Sequence, residues 1–294
     1  MLVNYLPAHC IYWNAIVDNG EMMKRTALIG MLVLSLSWAA FAQASVGIVK
    51  KDLPQAEVDR IIKKFTMNES LFRRALNIYA FKRFATIQTI GMGGQISGTY
   101  KRDSYLTFNE AGDRFEKILF FPMSSLKEIT VSKEDIDNLG GIDPFAIEPK
   151  LVDQYKFDYL GKERIDELDL YVFDVGPKVM PDAKKGVAKF FQGRVWVDDE
   201  GLMIVKTQGK AVPEGKQRFP VIETIRENVD DRFYFPTYSS SDDSLVFPNG
   251  QVVKMKVRVR YSDYTLGKTD VIILDDDDPR AQPQPTPQPS PTKP

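Results

Sequence analysis

From about residue 78 onward, apolar and polar side chains alternate with a period of two over most of the chain. The clearest stretch is 253–261. There Val253, Met255, Val257, Val259 and Tyr261 face one way, and Lys254, Lys256, Arg258 and Arg260 face the other. Such alternation predicts an antiparallel strand with one face buried and one in water. The Asn249-Gly250 pair just before it predicts a tight hairpin. Similar patterns predict strands at 81–90, 95–101, 105–108, 115–121, 155–160, 168–175, 195–197, 202–206, 221–228, 233–237 and 271–274. Loops 109–113 and 198–201 close two further hairpins, and the glycine-rich run 91–94 reads as another hairpin loop.

Helical spacing is confined to a few places. Asp52 is placed to cap a helix with Pro54 in its first turn, and Val58, Ile61, Ile62 and Phe65 recur on one face. A second short helix is expected from about Asn68, carrying Leu71, Phe72 and Ala75. Further on, Ser132-Lys133-Glu134-Asp135 has the form of a capping box opening a short helix that Gly140-Gly141 ends, and another short helix is expected near 144–147. Strands and helices do not alternate regularly, which excludes a doubly wound parallel fold. The expected fold is mainly β (α+β): a large curled antiparallel sheet or incomplete β-barrel of about ten or more strands, packed with an N-terminal helix and short mid-chain helices.

The two ends follow other rules. Met22-Met23-Lys24-Arg25 precede an apolar run from Ala27 to Phe41, closed by small-x-small sites at Ala42 or Ala44. This is the form of a cleaved export signal, and the run is short of the roughly 20 residues that a spanning helix needs. Residues 1–21 fit no part of such a signal and read as an upstream extension. Residues 22–44 then form the signal peptide, 45–274 a single β domain, and 275–294 a disordered tail rich in proline and glutamine. The expected location is the periplasm.

Cleavage would remove His9 and Cys10, the only histidine and cysteine. Without them the catalytic triads, cysteine nucleophiles and zinc sites built on these residues are excluded. Ser124-Ser125-Leu126-Lys127 matches the serine–lysine pattern of penicillin-recognising enzymes, but the accompanying S-D-N and K-T-G elements are missing. Carboxylates at 198–200, 230–231 and 242–243 read as turn residues rather than as an acid pair for glycan hydrolysis. A net charge of −1 argues against nucleic acid as a partner. No catalytic residue, metal ligand or cofactor-binding residue is expected.

What remains is a distributed apolar face. Phe115 and Leu119, Phe157 and Tyr159, Phe173, Val195 and Val197, and Val253, Met255, Val257 and Val259 all point into the curl on their strand patterns. They either fill a solid core or line an apolar cavity for a lipid-like ligand.

The stretches 86–122, 155–178, 190–210 and 235–264 resemble the bacterial outer-membrane lipoprotein-sorting proteins, as a divergent LolA-like group. The resemblance covers most of the domain from about Leu53 to Tyr264 and consists of strand-and-turn patterns rather than a catalytic signature. It implies an incomplete barrel closed by helices, a cavity for the acyl chains of lipoprotein or lipid cargo, no enzyme activity and no cofactor. It further implies a monomer that hands cargo to an outer-membrane acceptor protein. The chain departs from the pattern in extra material around 131–153 and in its proline-rich tail, and no residue matches the carrier's lid-latching arginine. A non-carrier envelope scaffold and a carboxylate-based glycan hydrolase are the competing readings.

Overall fold

The computed structural model describes residues 46–132, 135, 147, 149–183, 190–215, 218–229 and 233–267. The expected signal, the strand at 271–274, residues 144–146 of the helix expected near 144–147, the acids at 230–231 and the tail lie outside these residues.

One long helix precedes the main run of strands. α1 (Gln55–Leu76) carries Val58, Ile61, Phe65, Phe72 and Leu76 on one buried stripe, spaced three, four or seven residues apart. Glu57 in its first turn and Arg73 and Arg74 in its last suit the helix dipole. Two expectations are corrected. Pro54, not Asp52, occupies the N-cap, and no side chain caps the helix there. No second helix begins at Asn68 either: the helix runs through it, because Asn68 faces inward and donates to the carbonyls of Gly201 (3.0 Å) and Leu202 (2.8 Å).

Eleven strands follow the order of the chain: β1 (Val46–Val49), β2 (Tyr79–Ile90), β3 (Ile96–Phe108), β4 (Arg114–Phe120), β5 (Tyr155–Ile165), β6 (Leu168–Pro177), β7 (Phe190–Asp198), β8 (Ile204–Val212), β9 (Ile222–Val229), β10 (Phe233–Val246) and β11 (Val252–Leu266). A 3-10 turn, Pro149–Gln154, leads into β5. All belong to one antiparallel sheet in the order β1-β5-β6-β7-β8-β9-β10-β11-β2-β3-β4. The sheet is curled but unclosed, with β1 and β4 as its edges among the described residues, in keeping with the incomplete barrel expected.

The predicted hairpins are present. Gly250 (φ 84°) turns β10 into β11, with Phe247 N–H donating to Gln251 O at 2.9 Å. Gly91 N–H donates to Gln95 O at 2.8 Å and closes the glycine-rich loop. Ser132 and Asp135 exchange the two bonds of a capping box at 3.1 and 2.8 Å.

Several strands outrun their patterns. Stretches expected as separate strands at 95–101 and 105–108 form the single strand β3. Asp242 and Asp243, expected in a turn, lie inside β10 opposite Lys256 and Met255. β1 carries too short a pattern to have been foreseen.

The concave face holds the core. Phe65 of α1 meets Phe157 at 5.7 Å and Phe173 at 5.6 Å between ring centroids, while Phe72 meets Phe235 at 5.9 Å. Beneath α1, therefore, the curl is packed solid.

Candidate functional site

Past the reach of α1 the concave face opens into a pocket of about 440 Å³. Its floor comes from adjacent strands: Ala211 of β8, Ile222 of β9, Leu245 of β10, Met255 of β11 and Ile87 of β2. These positions alternate inward along their strands, so the pocket extends the core stripe past α1. Above it lie segments that connect the strands. Ile129 and Val131 come from the segment after β4, Phe219 and Pro220 from the β8–β9 connection, and Phe247 from the β10–β11 hairpin.

Polar groups are restricted to the rim, and most are held in place. Glu128 accepts hydrogen bonds from Ser97 Oγ (2.9 Å) and Thr89 Oγ1 (3.0 Å), which pins the roof segment to β2 and β3. The Ser97 hydroxyl, followed by Glu128's own backbone N–H and Thr89, holds the Glu128 carboxyl below its ordinary range. On the opposite rim Lys210 donates to Glu214 at 2.8 Å, and Glu214 also accepts the Phe219 N–H at 3.0 Å. Arg218 completes that side, 3.6 Å from Glu214. The arrangement is an apolar hole with a charged mouth, suited to a ligand with an apolar body and a polar end.

Of the eleven residues singled out by pattern, Met255 lines the pocket. Phe173, Val195, Val197, Val253, Val257 and Val259 are buried, and Phe157 and Tyr159 pack against the core cluster that holds all of these but Val253. Phe115 and Leu119 lie on the edge strand β4 and are 44% and 47% exposed. The loop residues of the roof escaped the sequence reading because no periodicity marks them.

Two charge clusters, one buried and one half-buried, were also missed. Glu69 of α1 and Arg226 of β9 form a bidentate pair at 2.5 and 3.2 Å, and Arg226 lies over the Phe72 ring at 4.3 Å. Burial pushes the Glu69 carboxyl up, against the pull of Arg226. Near the β4 edge, Glu116 accepts from Ser104 (2.6 Å), Arg83 (3.0 Å) and Arg102 (3.0 and 2.5 Å). Burial pushes its carboxyl up, but the bonds from Arg102 and Ser104 and the charge of Arg83 outweigh this and hold it at about 2. The signal available for both was a charged residue at an inward position of an apolar stripe.

The serine–lysine motif is tied up locally. Ser124 Oγ accepts the Leu126 N–H at 3.2 Å, and Ser125 Oγ accepts the Thr99 N–H at 2.9 Å. The acids at 198–200 do form a turn, in which Asp198 accepts the Gly201 N–H at 2.7 Å. Among the described residues no group of three or more His, Cys, Asp or Glu is placed to hold a metal ion. No helix among them is long and apolar enough to cross a membrane.

No family model matches the chain, and no curated protein sequence does. Solved structures similar to it include a DUF1329 family protein from Desulfovibrio piger, at 18% identity over 69% of this chain and 93% of that one, with a TM-score of 0.34. Another is a domain described as a putative outer membrane lipoprotein-sorting protein from Vibrio parahaemolyticus, at 12% identity over 70% and 94%, with a TM-score of 0.32. MucB is similar at 10% identity over 70% and 94%, with a TM-score of 0.26. The architecture itself stands on the strand pairing of this chain.

Proposed function

We propose that the protein is an exported, non-catalytic carrier that holds one acyl chain, or hydrophobic cargo of similar girth, in the pocket at the open end of the sheet. The observation that carries this reading is the pocket itself: about 440 Å³, floored by apolar side chains from adjacent strands and roofed by segments that connect the strands. Its volume lies within the roughly 300–1,000 Å³ usual for small-molecule sites. The resemblance of the strand-and-turn patterns to lipoprotein-sorting proteins supports the same cargo class.

In this reading the signal peptide is removed near Ala42 or Ala44 and the protein works as a monomer in the periplasm. It shields the acyl chain of a lipoprotein or lipid from water and gives it up to an acceptor that buries it better. The roof segments, which belong to no strand of the sheet, are the parts that move aside for entry and exit.

The test is to purify the protein after export, extract it with organic solvent and identify acyl species by mass spectrometry, then titrate the emptied protein with fatty acids of increasing length. Burial of each added methylene should tighten binding about fourfold until the pocket is full. Protein that is always empty and binds chains of every length equally weakly would overturn the proposal.

A further inference from the structure

The convex face of the sheet has a character that the chain's net charge of −1 conceals. Strand register places Tyr238, Arg260, Phe84, Asp103 and Phe120 in one row across β10, β11, β2, β3 and β4. The next row carries Arg258, Thr86 and Lys101, and beyond it Lys256 and Lys254 continue along β11. On the other side of the first row, Lys82 stands beside Tyr105, which stands beside Lys117. At ordinary strand and residue spacings this surface is about 20 Å by about 25 Å.

Only three carboxylates sit among these seven cations. Asp242 pairs with Arg258 at 2.6 Å, Asp263 with Lys82 at 2.8 Å and Asp103 with Lys101 at 3.6 Å. Lys117, Lys254, Lys256 and Arg260 have no carboxylate within ion-pair distance among the described residues.

Charge is not the only feature of this face. Tyr238 is 40% exposed and Phe120 50% exposed, and each stands next to cations. Lys101 lies over the Phe120 ring and Arg260 over the Phe84 ring, both at 5.1 Å. The face also ends at the edge strand β4, where Phe115, on the same side as Lys117, is exposed as well. A binder of acidic peptide or polymer needs cations but gains nothing from bulky apolar groups held half out of water. A surface that meets a lipid headgroup layer uses both: cations for the anionic headgroups and aromatic or aliphatic side chains for the acyl boundary. An exposed apolar patch contiguous with such charge marks an interaction site.

We infer that the convex face formed by β10, β11, β2, β3 and β4 docks the protein on an anionic lipid surface. The basic strand β11 supplies the attraction, and the β4 edge supplies the side chains that enter the interface. This inference is independent of the pocket, which opens on the opposite face of the sheet, so failure of one leaves the other standing.

The experiment is co-flotation of the exported full-length protein with vesicles of phosphatidylcholine alone or with roughly one third phosphatidylglycerol. Binding is expected only to the anionic vesicles. It should fall steeply between low salt and about 1 M salt, where the screening length shrinks to about 3 Å. The triple variant Lys254→Gln, Lys256→Gln, Arg260→Gln should weaken partitioning by about a hundredfold, at the usual contribution per cation near such a surface. Lys63→Gln, Lys64→Gln, Lys156→Gln, with the same charge change on other faces, should bind as the parent does. Phe120→Ser should weaken vesicle binding while leaving binding to soluble polyglutamate unchanged. Circular dichroism of each variant separates loss of binding from loss of fold.

Four results would overturn the inference. The first is no vesicle binding at all, and the second is binding indifferent to the triple variant. The third is binding to polyglutamate as tight as to vesicles with no effect of Phe120→Ser, which assigns the face to an acidic protein. The fourth is vesicle binding that appears only when Asp275–Asp278 are changed to Asn, which assigns the face to the chain's own acidic segment.

Discussion

Glu69 and Arg226, 157 positions apart, meet as a bidentate ion pair in which each side chain is only 1–2% exposed. The pair ties α1 to β9 through the core. Burying two charges is costly, so its net contribution over an apolar pair is small, but leaving either partner alone is expensive. Arg226→Leu is therefore expected to destabilise the protein by about 3–5 kcal/mol, and Glu69→Met with Arg226→Leu by far less. Urea denaturation of the single and double variants measures the difference. In the single variant the stranded Glu69, already pushed up by burial, binds its proton more tightly folded than unfolded. Its stability should consequently fall as pH rises.

Glu116 has the opposite sign. Its carboxyl is held at about 2 against an ordinary 4.5, so between these values the folded chain binds fewer protons there than the unfolded one. Stability from this cluster is present above pH 4.5 and is lost as pH falls toward 2. Glu116→Gln should remove that part of the acid sensitivity, which comparison of denaturation midpoints at pH 3 and pH 6 will reveal.

Much of the fold was legible because its signals are local. The alternation at 253–261 fixed the two faces of β11, and the hairpin glycines fixed the turns around it. The errors share one physical cause. Asn68 and Glu69 read as a helix boundary because polar residues seldom face a core, yet here the Gly201 and Leu202 carbonyls and Arg226 satisfy them from far along the chain. Arg102 and Ser104 broke the pattern of β3 in the same way, because their partner Glu116 is on another strand. The pocket was half legible: Met255 sits on a readable strand, whereas Ile129, Val131 and Phe219 belong to loops whose position depends on tertiary contacts.

Filling the pocket should block cargo without harming the fold. Ala211 lines it with a small side chain, so Ala211→Phe should weaken binding of a fluorescent acyl probe by about tenfold or more while thermal unfolding changes little. An equal loss of probe binding and stability would place Ala211 in the core rather than at the site.

Close backbone approach gives a sharper structural check. Gly193 and Gly209 lie opposite each other on β7 and β8, and a methyl group at Gly193 would overlap the Gln208 carbonyl and the Gly209 Cα. Gly193→Ala should cost about 1–3 kcal/mol. Gly47→Ala, which meets nothing within 4 Å, should cost almost nothing. Chemical denaturation of the pair tests the close approach of β7 and β8 at these glycines.

The strand order also dictates a sequence of assembly. β2 lies between β3 and β11, with Ile87 opposite Val257, so an early hairpin waits with one raw edge until the last strand of the sheet has been made. Contacts this distant along the chain form late and slowly. Ile87 and Met255, two walls of the pocket, come from the strands that this final seam joins. A nascent or C-terminally clipped chain thus has no enclosed space for cargo, and the capacity to bind arrives in one step, with completion of the sheet.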